Sequence, residues 1–137
     1  MNKRNLLLAY QLLTGASDTA TGTLLLLAPV LTLHLMKLQA PTDALVFLSY
    51  MGAFVLSVGI ACLYGALLAT QRSTAEKIEV VWLLTAITRG IVAVFVAVKI
   101  ASGQLEMGWI AVALSDGALA AVQLIGLRKG WLRDAAR

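Results

Sequence analysis

Charge, cysteine, histidine and proline are all scarce in this chain of 137 residues, of which 13% are charged and which holds one cysteine, one histidine and two prolines. The lone Cys62 excludes a disulfide framework, a paired-cysteine redox centre and a thiolate metal site; with apolar neighbours in sequence, it reads as a small hydrophobe. The lone His34 has no second imidazole or thiolate with which to converge on a metal ion. No phosphate-cradling glycine loop, serine–histidine–acid set or paired-metal motif is present, so neither a cofactor nor a metal is expected and nothing favours catalysis. Low charge with high hydrophobicity also excludes intrinsic disorder.

What fills the space is apolar. Hydrophobic residues make up 60% of the chain, against about 45–50% in soluble domains, and a soluble domain this small has too little interior to hide them. The chain therefore reads as an all-α polytopic membrane protein with the lipid bilayer as its surroundings. The net charge of +4 does not mark a nucleic-acid binder. The basic residues fall between and outside the apolar runs, where anionic headgroups attract them.

Crossing the hydrocarbon core takes about 20 apolar residues in a helix. Residues 5–28, 43–69, 78–100 and 107–127 meet that length, predicting a single domain, 1–137, built as a four-transmembrane-helix bundle. The connections 71–77 and 101–106 are short, so consecutive helices should be antiparallel neighbours. The segment from Pro29 to Lys37 is too short to cross and too apolar for an open loop. Proline suits the first position of a new helix, which favours a short interfacial helix there.

Lysines and arginines orient the bundle. Lys3, Arg4, Arg72, Lys77, Arg128, Lys129, Arg133 and Arg137 fall on one side, Lys37 and Lys99 on the other. The asymmetry predicts both termini on the cytoplasmic face of the cytoplasmic (inner) membrane. Trp109 and Trp131 suit interfacial anchors at the ends of the last span.

Three ionisable residues interrupt the spans near their middles: Asp18, Arg89 and Asp116. Each costs about 2.5–3.5 kcal/mol at a helix centre. At 1.5 Å per residue, Arg89 and Asp116 lie about 16 Å from the cytoplasmic ends of their helices and Asp18 about 20 Å, levels that an arginine side chain can join. At about 100° per residue, Val80, Leu84, Ile87, Ile91, Val94 and Val98 all fall opposite Arg89, a lipid-facing stripe that turns the arginine inward. The faces of Asp18 and Asp116 carry small and polar residues, among them Thr14, Gly15, Gly22, Ala113 and Ala120. Together these predict an Asp18–Arg89–Asp116 cluster between the first, third and fourth spans, since one planar guanidinium serves two carboxylates.

A second polar tier lies one level nearer the cytoplasm. Gln11 and Gln123 are each seven residues from their aspartate, Trp82 shares the face of Arg89, and Glu79 marks the mouth. Glu79 is also accounted for by the helix dipole, which favours a carboxylate in a first turn. On the second span, Ser49, Gly52, Gly59 and Ala66 make a small-residue seam, and Tyr50, Phe54, Ser57 and Tyr64 a second face. Ser17-Asp18-Thr19-Ala20 and Ser115-Asp116-Gly117-Ala118 share a short repeated pattern. No motif is specific enough to place the chain in a family.

Intramembrane charges mark ion, proton or substrate sites, so the leading expectation is a site that binds or translocates a small solute or proton. The rival of another class is an accessory subunit of a larger membrane complex, whose charges only lock the helices. A third is a membrane enzyme acting on a lipophilic ligand. Four short helices leave little room for both a polar cavity and a sealed exterior, so a homo-oligomer or a membrane-complex partner is expected.

Overall fold

The computed structural model describes residues 3–71 and 75–136 and is all-helical, with no strand among the described residues. Arg72 and Arg137, used above for orientation, lie outside them. Four long helices follow one another: α1 (Lys3–Leu27), α3 (Leu45–Thr70), α4 (Ala75–Ala101) and α5 (Ile110–Arg128). Two short ones complete the chain, α2 (Pro29–Leu35) and α6 (Trp131–Ala136).

Three of the long helices are long and apolar enough to cross a membrane: α3 with its preceding turn, α4, and α5 with its preceding turn. The first is not among them. At 25 residues α1 has the length, but Gln11, Thr14, Ser17, Asp18, Thr19, Thr21 and Thr23 dilute its apolar character. Much of that polarity is satisfied locally, Thr14 donating to the Tyr10 carbonyl at 2.8 Å and Thr23 to that of Thr19 at 2.7 Å.

Pro29 ends α1, since its ring nitrogen has no proton for the next helical bond. It then serves as the first residue of α2, the separate short helix anticipated there. The chain leaves α2 through Lys37, a non-glycine residue at φ 56°, with the Leu38 amide donating to the Leu33 carbonyl. Leu33, Leu38 and Leu48 form a buried cluster at this end of the bundle, and Trp109 packs against it. Trp109 thus has a packing role inside the protein besides any anchoring one.

The chain pairs its helices into two hairpins. In the first, α1 and α3 pack very closely. Gly15 and Gly22 on α1 meet α3, while Gly52 and Gly59 on α3 meet α1. A β-carbon on Gly52 would come within 2.6 Å of the Leu26 amide nitrogen, so only glycine allows this approach. The small-residue seam is therefore consumed within the chain and is not free for another copy. The second hairpin is α4 with α5, and α3 against α4 joins the two. At the far end from Trp109, Leu7, Leu68, Ala69, Ile78, Trp82 and Leu132 form the other buried cluster.

The outer surface is apolar. All six residues of the stripe opposite Arg89 are exposed, as are Tyr50, Phe54, Ser57 and Tyr64 on α3. The Ser57 hydroxyl does not need solvent, since it donates to the Phe54 carbonyl at 2.7 Å.

Candidate functional site

The three charges meet. Arg89, on α4, donates through one terminal nitrogen to Asp116 Oδ1 on α5 at 2.8 Å and through the other to Asp18 Oδ2 on α1. The arginine side chain is 4% exposed, the two aspartates 17% and 20%. The planar fork thus spends one arm on each hairpin. That matters because α1 and α5, the two outer helices, do not pack closely against each other. Arg89 is the clasp between them, helped by the Tyr10 hydroxyl, which reaches the Leu119 carbonyl at 3.5 Å.

The clasp is incomplete as a lock. With all three groups ionised it carries one net negative charge. Each aspartate keeps an oxygen that makes no hydrogen bond among the described residues, and the buried Arg89 Nε has no partner there either. Thr19 Oγ1, close to Asp18 in sequence, is likewise buried and unpartnered.

Gln11 and Gln123 are fully buried. Gln123 donates to Thr85 Oγ1 at 2.7 Å, and Thr85 passes its own proton to the Val81 carbonyl at 2.8 Å. The other Gln123 amide atom, Oε1, has no partner among the described residues, nor does either end of the Gln11 amide. The Gln11 amide occupies room that a side chain at position 65 would take, which Gly65 leaves open. Trp82, 3% exposed, stacks at a tilt on Tyr10 with ring centres 5.2 Å apart, and its indole Nε1 has no partner among the described residues. Native interiors pair almost all buried polar atoms, so six such orphans among the described residues mark this core as unusual.

Glu79 stands apart from this tier. It accepts two hydrogen bonds from Arg133 of α6, at 2.8 and 3.2 Å, and so ties α6 to the start of α4. That hydrogen bonding, and then the charge of Glu79, raise the Arg133 pKa above the ordinary arginine value. A cavity of about 290 Å³ at this end is lined by apolar and aromatic side chains and Lys3. Of the second tier it reaches only Trp82.

Cys62 reads from its sequence neighbours as a small hydrophobe, with no sign of the charged centre. It is fully buried on the α3 face that also carries Gly59 and Ala66, and Arg89, Thr14 and Asp18 are among its electrostatic neighbours. Its surroundings are therefore the charged centre, not the plain apolar environment its sequence neighbours suggested. The spacing from Gly59, three residues, was the available signal, because residues three and four apart share a helix face. His34 is exposed, and no cluster of three or more metal-ligating side chains occurs among the described residues.

These features define a small all-helical protein with three helices fit to span a membrane and a buried arginine ion-paired to two aspartates. Comparison with known proteins finds no matching family model, curated protein or solved structure.

Proposed function

We propose that this chain is a four-span protein of the cytoplasmic membrane, with both termini inside, whose Asp18–Arg89–Asp116 centre binds or translocates a proton or small solute. On this reading α1 is the fourth span, with Asp18 turned to the arginine and Gly15 and Gly22 held against α3. The observation that carries the proposal is the unequal enclosure of the three charges: the arginine is shut in, while both carboxylates stay part-exposed with an oxygen to spare. A lock would be best served by burying and saturating all three, because half-satisfied buried networks are costly. A net negative centre suits a proton or a solute that donates hydrogen bonds or carries positive charge. Asp18 and Asp116 are then the contacting groups and Arg89 their fixed counter-charge. Gln11, Gln123 and Trp82 supply further polar contacts from the tier below, and Glu79 belongs to the mouth.

The test is proton flux into proteoliposomes, driven by a potassium diffusion potential and read by an entrapped pH-sensitive dye, for the native chain and for Asp18→Asn and Asp116→Asn. Loss of flux with an unchanged melting temperature supports the proposal. Unchanged flux with a lowered melting temperature favours the second reading, an accessory subunit whose charges only lock its helices. That reading draws on the clasp, which joins two hairpins that otherwise meet through α3 and α4. Self-association or a membrane partner, if the unit has one, falls to the outward aromatic face of α3, since its glycine seam is taken.

A further inference from the structure

A second site lies at the end of the bundle that carries Lys3 and α6. Between α1 and α5, where the two outer helices leave a gap, the cavity of about 290 Å³ is walled by Leu6 and Tyr10 of α1, Trp82 of α4 and Val122 of α5. Its end is roofed by Trp131 and Leu132 of α6. The roof is built: Gly130 turns the chain at φ 67°, Leu132 is buried to 2%, and Arg133 is held by Glu79. Along its side the cavity is open, with Leu6 57% and Val122 38% exposed. Tyr10 precedes Asp18 by eight residues, about 12 Å along the helix, so the cavity lies nearer the end of the bundle than the ion-paired centre and shares Trp82 with the tier beneath it.

Size and chemistry narrow the occupant. On the reading that these helices span a membrane, the open side of the cavity faces hydrocarbon and not water, and its apolar walls suit an apolar occupant. A helix about 10 Å across fills roughly 800 Å³ in each 10 Å of its length, far more than the space available. At about 30 Å³ for each water-sized group, the cavity takes on the order of ten methylenes. The charged residue on its lining is a cation, Lys3, and Arg4, Lys77, Arg128 and Lys129 flank the same end of the helices. We infer that this cavity binds one linear hydrocarbon chain of an anionic amphiphile, with the chain against Tyr10, Trp82 and Val122 and the headgroup at Lys3. The amphiphile is a free fatty acid or an anionic membrane lipid, which share this chemistry.

The test uses the full chain in nanodiscs of zwitterionic lipid, carrying Trp109→Phe so that Trp82 and Trp131 report on the cavity. A fatty acid or a phosphatidylglycerol brominated along its chain is added in increasing mole fraction. Quenching should reach a plateau at low mole fraction. Val122→Phe, which fills the cavity from an exposed position, should abolish the plateau while circular dichroism stays native. Lys3→Gln should raise the half-saturating fraction about fivefold, the worth of one basic residue near an anionic headgroup. A plateau with the fatty acid or with phosphatidylglycerol supports the assignment and names the source. Quenching that rises linearly and equally in the Val122→Phe variant overturns it, and so does an equal plateau with brominated phosphatidylcholine. Native mass spectrometry gives an independent reading: one bound amphiphile on the native chain and none on Val122→Phe is expected, and none on either refutes the site.

Discussion

Replacing Arg89 with leucine tests the centre from its least replaceable member. The change removes two charge-assisted hydrogen bonds, each worth about 1.5–3 kcal/mol, and leaves two carboxylates facing each other without a counter-ion. Breaking a buried pair from one side costs about 3–5 kcal/mol. Because the aspartates are 17% and 20% exposed and retain some freedom to turn outward, the lower end applies, about 3 kcal/mol, or roughly 150-fold in the folding equilibrium. The triple variant Arg89→Leu, Asp18→Asn, Asp116→Asn carries no charge at the centre and leaves no ion unpaired. Its cost should fall to about 1 kcal/mol, the scale of ordinary neutral hydrogen bonds. The assay is reversible unfolding by titrating dodecyl sulfate into dodecyl maltoside micelles, followed by circular dichroism. A triple variant no more stable than the single one would refute the argument, because the penalty would then not come from uncompensated charge.

Gly52→Val should destabilise by about 1–3 kcal/mol, as its first side-chain atom meets the Leu26 backbone and pushes α1 off α3. Gly90→Ala meets nothing within 4 Å and should be neutral or stabilise by up to about 1 kcal/mol, since glycine is a poor helix former; equal effects in the two variants would deny the close approach. The Cys62 thiol, fully buried beside the charged centre, should resist maleimides in the native chain and become reactive in Arg89→Leu, where the clasp is open. Equal labelling rates in the two proteins would contradict that placement. For topology, in a Cys62→Ala background an impermeant maleimide applied outside cells should label Gly103→Cys and spare Arg133→Cys, and the reverse pattern would invert the orientation.

The exposed apolar stripe of α4 and the inward turn of Arg89 were legible in the sequence because helical periodicity is a local property. Six apolar residues spaced on one face determine which way the opposite face points, whatever packs against it. Depth is local in the same sense, since a rise of 1.5 Å per residue places Arg89 level with Asp116 and near Asp18. The break at Pro29 follows from a missing amide proton, again a matter of one residue. What the sequence could not decide was which faces meet. The glycine seam of α3 was equally suited to α1 or to another copy, and only the docking of Gly52 and Gly59 onto α1 settles it. Tertiary packing likewise brings Cys62 against the charges, turns Trp109 onto the Leu33–Leu38–Leu48 cluster and pairs Glu79 with Arg133. The gap between α1 and α5, and the roof that α6 sets over it, come from helices that are neighbours in space and distant in sequence. Periodicity names the faces of each helix, but the pairing of faces is a competition among all of them, decided by how closely each pair of backbones can approach.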